Sequence, residues 1–241
     1  MARASFAHSF QWLRPNSGLW WRFLDHEASV ATHRVLVLGA TGGTGRHVVM
    51  CAVAQGLKVS VLCRDPDRLA PPSAGLRIFT GDITTGAASL AAAMHGQDAV
   101  ICALGAGTSF TSHALMARCM PRILAAMHDA GVRRLIVTSA FGVGATWTAL
   151  PLLPRLFSRL LLRDIYADKA ASEVVLREST LDWTLVYPSA LGNGPSRGPY
   201  RIGERLALRG FPTIPRADVA AFLVAQLDDR QFVRRGVMIS T

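Results

Sequence analysis

The chain predicts an α/β fold, a doubly wound parallel sheet of Rossmann-like type in a single domain. Three observations carry this: short apolar runs alternate with helical patterns from residue 34 onward, every connection is long enough for a right-handed crossover, and the first run ends in glycines three residues apart. Strands are predicted near 34–38, 58–63, 76–80, 98–104, 133–138, 183–187 and 236–240, and helices near 43–55, 66–70, 87–95, 112–129, 164–179 and 216–227.

The first strand, Val35-Leu36-Val37-Leu38, feeds directly into Gly39-Ala40-Thr41-Gly42-Gly43-Thr44-Gly45. Gly39 permits a tight turn, Gly42 lets backbone approach a pyrophosphate, and Gly45 lets the next helix pack closely. Free N–H groups and the dipole at that helix start favour phosphate, so this turn, with Thr41, Gly43 and Thr44, reads as a dinucleotide cradle. The helix closes at Gly56, and a second buried strand runs from Lys58 to Cys63. Arg64 follows, where NAD-preferring proteins of this architecture place an acid for the ribose hydroxyls. A guanidinium there suits the 2′-phosphate of NADP instead, and Arg68 stands one turn further on. Asp65-Pro66 reads as an N-cap and first helical residue.

Later loops follow the same logic, because ligands collect beyond the carboxyl ends of the strands. Asp82 accepts from an adenine amino group or starts a turn; Gly105 and Gly107 pass backbone against a cofactor or form a plain loop. Ile83, Leu104, Thr138 and Pro188 lie in these loops and are assigned to the cofactor with Asp82 and Gly105. Pro121 should kink or divide the fourth helix, and Gly131 ends it.

Composition narrows the class. The formal charge is +10 over 241 residues, but the basic residues are scattered and form no stripe interleaved with aromatics, which argues against nucleic acid. Cys51, Cys63, Cys102 and Cys119 lie far apart without clustered histidines, so neither a metal site nor a disulfide framework is expected, and buried thiols in a reducing cytoplasm are. The run Ala149 to Leu162 is broken by Pro151, Pro154, Arg155 and Arg159, too short to span a bilayer, and is expected to cover a ligand site. Residues 1–33 stand apart as a leader: basic, without acid before Asp25, and Trp-rich. They read as a disordered start, an organelle import segment or an interfacial anchor ahead of a domain at 34–241.

Five segments together resemble the atypical short-chain dehydrogenase/reductase superfamily, in its NAD(P)H-binding, NmrA-like branch, closest to the flavin reductase/biliverdin-IXβ reductase type. They are Gly39 to Gly45 with Val61-Leu62-Cys63-Arg64-Asp65; Gly81-Asp82; Gln97 to Ile101; Thr138-Ser139-Ala140-Phe141; and Val175 to Ser179 with Leu181 to Pro188 and Gly198-Pro199-Tyr200. The resemblance covers about residues 34–240 and implies that Ser139 lies beside the nicotinamide. It also implies a Tyr-x-x-x-Lys pair, whose lysine lowers the tyrosine pKa for proton donation. Here Lys169 is present, but Ile165 stands four residues before it and Tyr166 three, so Tyr166 need not face the same pocket.

The expected activity is transfer of hydride from NADPH to a flat, conjugated, anionic small molecule such as a flavin or bilin, with Ser139, Lys169 and Tyr166 as candidate catalytic residues and Phe141, Trp147 and Ala149–Leu162 as walls. The alternative is a non-catalytic NADP(H) sensor or an assembly protein. A monomer or dimer is expected.

Overall fold

The computed structural model describes residues 33–69, 76–105, 107, 111–144, 146, 162–208, 210 and 212–241. Leader residues 1–32, Trp147 and all of the Ala149–Leu162 wall except Leu162 lie outside them.

The chain runs β1 (Arg34–Leu38), α1 (Gly43–Ala54), β2 (Lys58–Cys63), a 3-10 turn (Pro66–Arg68), β3 (Leu76–Thr80), α2 (Ala87–Met94) and β4 (Ala99–Cys102). It continues with α3 (Leu115–Asp129), β5 (Arg134–Thr138), α4 (Arg163–Glu178), β6 (Asp182–Pro188), β7 (Ala190–Gly192), β8 (Arg201–Gly203), β9 (Thr213–Pro215), α5 (Arg216–Ala225) and β10 (Arg235–Ser240). The main sheet has the order β3-β2-β1-β4-β5-β6-β10-β8; all its pairings are parallel except β10 with β8 at the edge. A separate parallel pair joins β7 and β9.

Alternation along β1 explains both faces. Val35 and Val37 enter one apolar core with α1 and α5, while Leu36 and Leu38 enter the other with α2, α3 and α4. Both faces of the strand are thus covered, as a parallel sheet demands.

Differences from expectation lie at the ends of elements and in the short strands β7, β8 and β9, which no apolar run predicts. The segment after β2 forms only a 3-10 turn over 66–68, with Asp65 Oδ1 accepting from Asp67 N at 3.2 Å and Pro66 at the first position. The helix predicted from 112 begins at 115, because His113 and Ala114 take φ of 51° and 53°. It is not divided at Pro121 and runs through it to Asp129. Its first amides are satisfied from outside: Asp168 on α4 accepts from Met116 N at 3.0 Å and Ala117 N at 2.8 Å, and Asp164 accepts from Ser112 N at 2.6 Å.

Candidate functional site

The topological switch lies between β1 and β4, the two strands from which the sheet winds in opposite directions, and the glycine turn sits there. Gly39 has φ +85°, and a Cβ on it would come within 2.6 Å of Ala103 O on the neighbouring loop. A Cβ on Gly45 would overlap the Gly39 carbonyl, so the first turn of α1 packs against the exit of β1 only without a side chain. Gly42 meets little protein, with Gly39 O at 3.3 Å from its Cβ position; its bareness leaves open the floor of a cavity. No side chain caps α1 and no acid stands in its first turn. Its leading amides are an anion site by construction.

A cavity of about 330 Å³ opens here, lined by Gly39, Thr41, Gly42, Arg64, Asp82, Ile83, Leu104 and Gly105 of the predicted set, and also by Arg68, Gly107, Arg118 and Cys119. Asp82 spends Oδ1 on a turn, accepting from Thr84 N and Oγ1 at 2.7 Å each; these bonds hold its carboxyl below the usual range, with smaller help from Arg64 and Arg118. Its Oδ2 is 3.9 Å from Arg64 Nη1. Burial pushes the Cys119 thiol up to about 11, so this cavity-wall cysteine is a neutral apolar surface.

Gly43, Thr44 and Gly45 belong to the first turn of α1 and do not line the cavity. The remaining predicted residues gather at the carboxyl ends of β5 and β6. Ser139 N donates to Val186 O at 2.8 Å, and Phe141 N donates to Pro188 O at 3.0 Å, which fixes the two loops together. Ser139 Oγ donates to Glu173 Oε1 at 2.6 Å, and Tyr187 OH donates to Glu173 Oε2 at 2.7 Å. Arg177 reaches the same cluster, donating to Tyr187 OH at 2.8 Å and stacking over Trp183 at 5.3 Å. Burial first, then Glu173, drives the Tyr187 phenol far above its ordinary value.

Lys169 is buried and donates Nζ to Thr138 O at 3.1 Å; burial pulls its pKa down. Tyr166 OH donates to Phe141 O at 3.0 Å. The lysine and the tyrosine are therefore held by different backbone carbonyls. Phe141 itself is a core residue, 6% exposed. Thr138 Oγ1 and Ser189 Oγ are buried without a partner among the described residues, one at the end of β5 and one just after β6. Unpaired hydroxyls in such a place suit a polar ligand group. Uncapped amides, a bare glycine floor, an arginine-lined cavity and these hydroxyls together fit a dinucleotide.

A family model described as NAD(P)H-binding matches residues 39–230. The chain belongs to this NAD(P)H-binding family. It is 30% identical over 182 residues to an uncharacterised chloroplastic protein of Arabidopsis thaliana, covering 72% of this chain and spanning 65% of that protein's length. It is 26% identical over 209 residues to YhfK of Bacillus subtilis, described as an uncharacterised sugar epimerase, covering 84% and 91% of the two chains. Among solved structures, ChuY of Escherichia coli, described as an anaerobillin reductase, superposes with TM-score 0.70 at 24% identity over 86% of this chain and 96% of its own. A Veillonella parvula short-chain dehydrogenase/reductase in complex with NADP gives TM-score 0.72 at 19% identity over 87% and 94%. The likeness to these solved structures is one of fold, an α/β architecture that holds NADP in the Veillonella protein. Among the described residues no helix is long and apolar enough to cross a membrane, and no cluster of metal ligands occurs.

Sequence reasoning missed Glu173, Tyr187, Arg118 and Arg216 as neighbours of the site. Glu173 carried a readable signal, since it follows Lys169 by four residues and so shares its helix face. Arg216 carried another: a cation at the first position of a helix, where acids are favoured.

Proposed function

We propose that the chain is an NADPH-dependent reductase acting on a flat, conjugated, anionic acceptor of the flavin or linear-tetrapyrrole type. Arg64, with Arg68 and Arg118, would hold the 2′-phosphate; Asp82 and Ile83 would border the adenine; the amides of α1 would hold the pyrophosphate; and Thr138, Ser139 and Pro188 would border the nicotinamide. When bound, the reduced nicotinamide supplies a hydride.

The observation that carries the reading is that Tyr166 and Lys169 are hydrogen-bonded to different backbone carbonyls. Carbonyl reduction needs a proton donor of lowered pKa beside the substrate. Here the phenol of Tyr166 is held on Phe141 O and the ammonium of Lys169 on Thr138 O. Lys169 and the Ser139–Glu173 pair then act as positioning groups, fixing the ends of β5 and β6 where the acceptor would lie. A conjugated acceptor takes its proton from water, so this chain needs to orient it and exclude other chemistry. The likeness to an anaerobillin reductase supports the bilin alternative. Residues 1–33 are proposed as a leader, and the chloroplastic relative supports its import reading.

In single-turnover mixing of the NADPH-loaded protein with a flavin or bilin, Tyr166→Phe should change hydride transfer less than about tenfold, whereas loss of a general acid costs roughly 10²–10⁴-fold. A defect of the larger size with these acceptors would overturn the mechanism. A second reading, an NADP(H) sensor without turnover, is favoured by the same internal bonding of Ser139 and Lys169. It predicts tight nucleotide binding with no acceptor-dependent oxidation.

A further inference from the structure

Arg216 opens α5 and lies against the opening residue of α1. A Cβ on Gly43 would come within 2.7 Å of Arg216 Nε and 2.9 Å of its Cδ, so the arginine side chain fills the space that any other residue there would need. Its Nη1 donates to Asn193 Oδ1 and, at 3.5 Å, to Leu191 O, both in the segment that follows β6. Among the described residues no carboxylate stands within ion-pair distance of it; Asp218, in the same turn of α5, is buried and accepts instead from Arg197 N at 3.2 Å.

Left to itself this arrangement is unfavourable. The start of α1 carries a partial positive charge of about half a unit, with uncapped amides and no acid in its first turn. Arg216 adds a full positive charge beside it, at the first position of a second helix. Cations belong at helix carboxyl ends, and a guanidinium set between two helix starts is selected against on stability grounds alone. The repulsion disappears if a polyanion lies between them.

We infer that Arg216 is a ligand of the cofactor's pyrophosphate, closing from the α5 side the anion site that the amides of α1 open. The inference rests on the dinucleotide reading of the cavity and adds a residue to it. Gly43 is then bare because the phosphate-binding arginine lies over it, a different reason from that of its glycine neighbours. Through Asn193 and Leu191, the same guanidinium ties the segment after β6 to the glycine turn.

The test compares wild type, Arg216→Met and Asn193→Ala, with NADPH and with adenosine 2′-monophosphate, which has the 2′-phosphate but neither phosphate of the pyrophosphate. Arg216→Met should weaken NADPH by about tenfold to a hundredfold, the loss of charge-assisted bonds, and the 2′-monophosphate by less than about threefold. The ligand-free thermal midpoint of Arg216→Met should hold or rise, because a like-charge contact has gone. Asn193→Ala should weaken NADPH less than Arg216→Met does. NADPH affinity unchanged in Arg216→Met would overturn the assignment while leaving the cofactor reading intact. A lowered ligand-free midpoint with equal weakening of both nucleotides would reduce Arg216 to a structural latch. Wild type that binds neither nucleotide would overturn the cofactor reading and this assignment together.

Discussion

Arg64 lines the cavity with 75% of its side chain exposed, and its ion pair with Asp82 is 3.9 Å long. An ion pair that long and that wet contributes little, so the guanidinium is available to a phosphate. Arg64→Glu should erase or reverse a preference for NADPH over NADH of roughly tenfold to a hundredfold, the equivalent of about 1.5–3 kcal/mol, as read by titrating both nucleotides. Equal affinities in the wild type would contradict the role given to it. Lys169 poses the opposite problem, a buried cation with one hydrogen bond, to Thr138 O. Burial depresses its folded pKa below the ordinary 10.5, so between the two values the unfolded chain holds a proton that the folded one lacks. Stability of the wild type therefore rises with pH through that window, and the penalty is fully present below it. Lys169→Met should be more stable than wild type at neutral pH, with the advantage shrinking as pH approaches 10.5; denaturant melts across that range check it. The sequence singled out Ser139 and Lys169 as candidate catalytic residues. It did not show their partners, because the Ser139–Glu173–Tyr187 cluster joins β5, α4 and β6 across as many as 48 positions of chain, counting from Ser139 to Tyr187.

Elements with a strong period were legible almost to the residue: β2 and β3 fall at 58–63 and 76–80 as the apolar runs predict, since alternation or continuous burial fixes them locally. The three-residue strands β7, β8 and β9 were not legible. Three residues have no period, and these form only because distant partners, Thr213–Pro215 for β7 and Met238–Ser240 for β8, arrive beside them. The start of α3 was hidden for a related reason. Its N-cap is Ala114, with no side chain to accept, and the acceptor is Asp168 on another helix. Asp168→Asn removes the charged acceptor from two amides at a helix start and should lower stability by about 0.5–2 kcal/mol, the usual worth of a cap. Because α3 carries Arg118 into the cavity, the same variant should weaken nucleotide binding slightly. A melt indistinguishable from wild type would show that α3 is held without this contact.

At the scale of the whole molecule, the order β3-β2-β1-β4-β5-β6-β10-β8 brings the carboxyl ends of β1 to β6 along one edge, and every predicted cofactor residue lies at or just beyond that edge. Topology therefore does what no single motif could, setting the glycine turn, Arg64 and the Ser139 loop in one line. The fold class and this line were legible from the alternation of runs and the glycine spacing, because both are properties of neighbouring residues. What lies across the line was not, since Arg216 meets Gly43 only after 173 positions of chain have folded between them. Transfer of a hydride from NADPH to a conjugated acceptor at this edge is the proposed activity. It is tested most directly by following the absorbance of reduced nicotinamide when purified protein and NADPH are mixed, without oxygen, with a flavin or a linear tetrapyrrole. The expected result is protein-dependent oxidation of NADPH that requires the acceptor, matches it mole for mole and is slower with NADH. Tight binding of NADPH with no oxidation beyond the protein-free mixture, for either acceptor, would contradict it and leave a nucleotide sensor in its place.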